Sequence, residues 1–115
     1  MRILSWNCHG LGNPWIGCSL HKLVRDEAPI VCFLMETRLD NERFDKIYSN
    51  LPYQNKIIVK HPDLGEGLAL LWKNDINMEV VNYTTNHVLA KVTEEDGFVW
   101  YMTGFYAWPD AQQET

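Results

Sequence analysis

Ile30-Val31-Cys32-Phe33-Leu34-Met35-Glu36 decides how this 115-residue chain is read. Six apolar residues run without alternation, so the segment predicts a strand covered on both faces, as in a parallel sheet. Glu36 follows directly, and an ionised carboxylate at the end of a buried strand is costly unless it is hydrogen-bonded, paired or bound to a cation. Upstream, residues 2–6 predict a first strand. It stops at Asn7-Cys8-His9-Gly10-Leu11-Gly12-Asn13-Pro14, where two Gly, two Asn and a Pro supply turn chemistry. From Trp15 onward, Ile16, Leu20, Leu23 and Val24 recur at helical spacing, with Pro14 placed to open the helix and Pro29 to end it. Strand, helix and buried strand make a βαβ unit with a right-handed crossover. If its two strands are neighbours, Asn7 and Glu36 emerge together at the carboxyl edge of the sheet, where open α/β sheets bind ligands.

Downstream, Asp40 or Asn41 can cap a second helix carrying Phe44, Ile47, Tyr48 and Leu51 on one stripe, ended by Pro52. The pattern then changes to strands near 56–60, 68–72, 78–83, 88–92 and 98–106, the last two joined through the hairpin signal Glu94-Glu95-Asp96-Gly97. The chain therefore reads as α/β, with about seven strands and two helices. Leu68 to Trp72 and much of residues 99–106 are apolar on both faces, yet two helices cover only one face of such a sheet. At roughly 1.5–3 kcal/mol for each large side chain buried, an uncovered face forfeits an amount comparable to a domain's net stability. One sheet face is thus expected to need a partner, a second half of the domain, or self-association. The polar, helix-prone Ala111-Gln112-Gln113-Glu114-Thr115 fits a second half that begins there.

Composition bounds the function. With 46% hydrophobic and 22% charged residues the chain has ordinary globular make-up, and its length suits one domain. A net charge of −5 removes any general attraction to polyanions, although a bound divalent cation can supply positive potential locally. Cys8, Cys18 and Cys32 are an odd number without tight spacing, and no signal-type apolar segment follows Met1. Free thiols and an intracellular setting, nuclear or cytoplasmic and not secreted, are expected. The acceptor pattern Asn82-Tyr83-Thr84 is then a chance match. No apolar run approaches the roughly 20 residues of a membrane span, so no membrane partner is expected.

For chemistry, Mg²⁺ takes hard oxygen ligands and often only one or two carboxylates, so Glu36 is an adequate anchor, with Asn7 orienting it or touching a phosphate. Plainer readings stand beside this one: Asn7 as a turn former, and Glu36 paired with Arg38 or capping local backbone. A zinc site from Cys8, His9, Cys18 and His21 has ligand spacing that matches no compact zinc module. Tyr106 is either a buried ring with its hydroxyl at a rim or a hydroxyl that contacts phosphate.

Residues 3–14, together with Phe33-Leu34-Met35-Glu36-Thr37-Arg38-Leu39, resemble the opening of the endonuclease/exonuclease/phosphatase superfamily. Gly67-Leu68-Ala69-Leu70-Leu71-Trp72, Asn86-His87 and Thr103-Gly104-Phe105-Tyr106 fall in the order seen in endonuclease domains of plant non-LTR retrotransposons. The resemblance implies a four-layered α/β/β/α sandwich and Mg²⁺- or Mn²⁺-dependent cleavage of a phosphodiester, with DNA as the nucleic-acid partner. It implies Glu36 as the metal-binding carboxylate, Asn7 as the active-site asparagine and Tyr106 as the contact to the scissile phosphate. His9 stands where some relatives carry an acidic residue, and Glu66 where the retroelement pattern has glycine. The family's Gly-Asp-Phe-Asn and Ser-Asp-His segments have no counterpart here. Residues 1–115 are accordingly expected to form a single partial domain, the N-terminal half, with little or no activity alone. The alternative is a non-catalytic module that docks a partner through its uncovered sheet face.

Overall fold

The loop chemistry around Pro14 explains how the chain turns back on itself. β1 (Ile3–Asn7) leads into α1 (Pro14–Glu27), whose first turn is capped by the Asn13 side chain accepting from the Trp15 N–H at 3.0 Å. Ala28 ends the helix in the left-handed region, its N–H bonded to the Val24 carbonyl at 2.9 Å. Leu20 and Val24 face inward, while Trp15 lies on the outside. The computed structural model describes residues 1–11, 13–39, 41–61 and 65–107. The capping role expected of Asp40, the turn around Pro62-Asp63-Leu64 and the segment 111–115 lie outside the described residues.

β2 (Val31–Met35) runs parallel to β1, with Ile3 opposite Val31 and Asn7 opposite Met35. α2 (Asn41–Tyr48) then buries Phe44, and Leu51 stays buried just past the helix. β3 (Asn55–His61) and β4 (Gly65–Trp72) form an antiparallel pair, and β4 pairs antiparallel with β2, giving the order β1-β2-β4-β3. The sheet is therefore mixed, not parallel. A doubly buried strand signals cover on two faces, and that signal does not depend on the direction of its neighbours.

β5 (Asn77–Tyr83), β6 (His87–Thr93) and β7 (Val99–Phe105) form a separate antiparallel sheet in sequence order. Gly97, at φ 88°, takes the positive backbone angle that the β6–β7 hairpin needs. The alternation of β6, with Val88, Ala90 and Val92 buried, points one face of this sheet at the first.

The core has two floors. Cys32, Leu34, Ala69 and Leu71 pack on the helix side with Leu20, Val24 and Phe44. Val31, Phe33, Leu68 and Leu70 pack on the other side with Val88, Ala90 and Val92. This is an α/β/β stack, and it corrects the expectation that Leu68 to Trp72 lie on an uncovered sheet face. Strands β5–β7 are a covering layer, not an extension of the first sheet. The exposed face is the outer surface of the second sheet, where Tyr101 and Phe105 are 60% and 65% exposed while Trp100 and Met102 pack inward. The two sheets approach closely at Gly104, where an added Cβ would lie 2.7, 2.8 and 2.9 Å from three ring atoms of Phe33.

Candidate functional site

Parallel pairing carries Asn7 and Glu36 to one edge of the first sheet, and the loops beyond the two strands continue side by side. Backbone N–H groups of Cys8, Gly10 and Leu11 donate to the carbonyls of Met35, Glu36 and Thr37 at 2.9, 2.8 and 2.9 Å. The geometry is strained. Of the four non-glycine residues with positive φ among the described residues, His9, Glu36 and Arg38 lie in these two loops. Such backbone is costly and persists where surrounding contacts over-determine it, as at ligand sites.

Three side chains converge on the Glu36 carboxylate. Asn7 Nδ2 donates to Oε2 at 2.7 Å, the Tyr106 hydroxyl donates to the same oxygen at 2.5 Å, and Arg38 Nη2 donates to Oε1 at 2.6 Å. Asn7 is itself oriented, because its Oδ1 accepts the His9 N–H at 3.0 Å and so leaves the amide nitrogen to face Glu36. His9 Nδ1 lies 3.7 Å from Oε2. Asn86 sets the place of Tyr106: the Tyr106 N–H donates to the Asn86 carbonyl at 2.7 Å, and Asn86 Nδ2 donates to the Tyr106 carbonyl at 3.1 Å.

The carboxylate of Glu36 is held ionised. Its burial by itself pushes the acid upward, but the Tyr106 and Asn7 hydrogen bonds and the Arg38 charge together bring it below its ordinary value. Burial and the neighbouring Glu36 charge push the Tyr106 hydroxyl upward, so it remains a proton donor at neutral pH. Because folding lowers the Glu36 pKa, the folded state binds fewer protons than the unfolded one. The resulting stability is fully present above the ordinary carboxyl value of 4.5 and is lost as the pH falls through the lower folded value. Glu36→Gln is therefore expected to flatten the acid limb below that pH, measured as the urea midpoint against pH. Parallel limbs in the two proteins would contradict the assignment.

Asn7, Glu36 and Tyr106 thus come together, although they are 29 and 70 residues apart in sequence. The pairing of Glu36 with Arg38 is present as well, as the plain reading of Glu36 expects. The zinc arrangement does not form: among the described residues no three His, Cys, Asp or Glu side chains gather, and Cys8 is buried while Cys18 is exposed. Burial raises the Cys8 and Cys32 thiols to about 12, which keeps them protonated at neutral pH. The positioning role of Asn86 is new. Its position within a strand-end dipeptide was visible in sequence, but an asparagine there reads equally as a turn residue.

The donor set suits a hard cation. It offers the Glu36 carboxylate and the Tyr106 hydroxyl oxygen at a sheet edge, and this oxygen chemistry matches Mg²⁺ or Mn²⁺ better than a thiophilic metal. A cation held by Glu36 would share its carboxylate with Asn7, Tyr106 and Arg38.

No curated protein sequence matches the chain. Solved structures do. The human Nocturnin catalytic domain with bound sulfate superposes with a TM-score of 0.68 at 18% identity, over 90% of this chain and 48% of that one. D. rerio TDP2 humanised by 14 mutations gives 0.65 at 19% identity, over 96% and 49% of the two chains. The Xenopus laevis APE2 catalytic domain gives 0.65 at 16% identity, over 98% and 47%. At these identities the likeness is one of fold, and the chain spans about half the length of each of these structures. Residues 4–114 match the model of the endonuclease/exonuclease/phosphatase family, and with that match across nearly the whole sequence the chain belongs to this family.

Proposed function

We propose that this chain carries half of a metal-dependent phosphodiesterase site: Glu36 anchors a divalent cation, Mg²⁺ or Mn²⁺, and Asn7 and Tyr106 serve a phosphodiester of DNA. The observation that carries this reading is the convergence of Asn7 and Tyr106 on one oxygen of a buried, ionised Glu36. A bound divalent ion supplies Lewis-acid stabilisation of phosphoryl oxygens and lowers the pKa of bound water. The chain's own residues do the positioning. Asn7 fixes the carboxylate rotamer, and the Tyr106 hydroxyl, kept protonated, is a neutral donor that can turn from Glu36 to a phosphate oxygen. With a net charge of −5, the cation is the source of positive potential for a polyanionic substrate.

Little or no hydrolysis is expected from these 115 residues alone. Among the described residues Glu36 and His9 have no third His, Cys, Asp or Glu beside them, and water activation in such a site draws on a further positioned base. The half-length coverage of the solved structures supports the same reading. The closer kinship to plant retrotransposon endonucleases rests on the motifs at residues 67–72, 86–87 and 103–106. An intracellular location, nuclear or cytoplasmic, rests on the three free cysteines. Among the described residues no helix is long and apolar enough to cross a membrane. The test is nicking of supercoiled plasmid in Mg²⁺ or Mn²⁺: the purified chain should leave the plasmid as the metal-only control does. Nicking that disappears in Glu36→Gln would overturn the half-site reading.

One observation favours a second reading, a non-catalytic module that docks a partner or a second copy. Val99, Tyr101 and Phe105 expose large apolar surface on the outer face of the second sheet. That reading predicts concentration-dependent sedimentation relieved by Tyr101→Lys with Phe105→Lys, and no response to Mg²⁺.

A further inference from the structure

The donors around Glu36 are not equivalent. Asn7 and Tyr106 are neutral and share Oε2, whereas Arg38 is a full cation and meets Oε1 at 2.6 Å. The Arg38 side chain is 50% exposed against 6% for Glu36, so the guanidinium can swing into solvent while the carboxylate stays in place. Arg38 also leaves the backbone at φ 52°, two residues beyond Glu36 at φ 53°, and this pair of left-handed turns aims its side chain back across the strand end. One lone pair of Oε1 is therefore taken by a charge belonging to the chain itself, next to any divalent ion on the same carboxylate.

We propose that Arg38 is a built-in counter-cation that competes with the divalent ion for Glu36. The proposal rests on the metal reading of Glu36 given above. A guanidinium and a divalent ion on one carboxylate repel each other, so the ion seats more tightly once Arg38 has left. Wild-type metal affinity is then lower than the carboxylate alone would give. Arg38 acts here as a positioning residue that sets occupancy of the site.

The test is Mn²⁺ titration of wild type, Arg38→Gln, Arg38→Met, Arg38→Lys and Glu36→Gln, with free Mn²⁺ read by its electron paramagnetic resonance signal. Arg38→Gln and Arg38→Met should each bind about tenfold more tightly than wild type, the scale of one partly solvated charge interaction. Arg38→Lys should restore wild-type affinity within about twofold, because it keeps the charge. Glu36→Gln should bind no Mn²⁺. Two uncharged variants guard against one of them misfolding, which circular dichroism would reveal. If both bind no more tightly than wild type while Glu36→Gln still abolishes binding, the counter-cation is refuted and the metal reading stands. If Glu36→Gln binds as wild type does, both fail.

Discussion

Gly104→Ala is expected to destabilise the protein by about 1–3 kcal/mol, far more than an alanine usually costs in a strand. The reason is contact and not backbone angle. The new methyl would fall 2.7 Å from the nearest atom of the Phe33 ring, and Phe33 is buried between the sheets, so neither partner has room to give. Relief requires β7 to lift from the first sheet, and Tyr106 follows two residues later. The loss should therefore reach the site. A thermal melt reports the stability, and tyrosine fluorescence or the acid limb reports whether Tyr106 still meets Glu36. Trimming the ring provides the control: Phe33→Leu combined with Gly104→Ala should recover part of the loss, giving a coupling well above the ~0.5 kcal/mol of independent sites. Additive effects would show that the two residues do not touch.

Phe44→Ala should cost about 3–5 kcal/mol, the range for truncating a fully buried aromatic. Phe44 is 1% exposed and is the buried anchor of α2, which has only eight residues. A helix that short is not stable by propensity alone, so its place depends on this ring. Phe44 shares its cluster with Cys8, Leu11 and Leu39, residues of the two loops that frame the site. Total stability of such a domain is about 5–15 kcal/mol, so the variant should be partly unfolded at moderate temperature. Denaturant titration measures this. Phe44→Leu, which keeps most of the volume, should lose less than about 2 kcal/mol by the same measurement.

Much of the architecture was legible because its signals are local. The run Ile30 to Met35, the turn at Asn7 to Pro14 and the spacing of Leu20 and Val24 specify β2, the first loop and α1, and their order brings Asn7 beside Glu36. Sheet membership was not legible. Whether β5–β7 extend the first sheet or fold over it depends on pairings between distant residues, and alternation along each strand is the same in both cases. That is why Leu68 to Trp72 were expected on an uncovered face together with residues 99–106, although only the latter expose one. The strand-end place of Tyr106 left a rim hydroxyl and a phosphate contact both open, and its meeting with Glu36 was not legible, since the two are 70 residues apart. Arg38 was recognised as a possible partner of Glu36 from proximity in sequence, but the left-handed backbone that turns it back onto the carboxylate leaves no mark on residue type.

The most direct measurement of the central claim is the thermal midpoint of wild type and Glu36→Gln across a Mg²⁺ titration. Anything that binds only the native state stabilises it by RT ln(1 + [L]/Kd), about 1.4 kcal/mol when the ion is at roughly tenfold its Kd. In a domain of this size that shifts the midpoint by about 4–8 °C. The midpoint should rise for wild type and stay flat for Glu36→Gln. The same rise in both proteins, or none in wild type at saturating Mg²⁺, would contradict the claim.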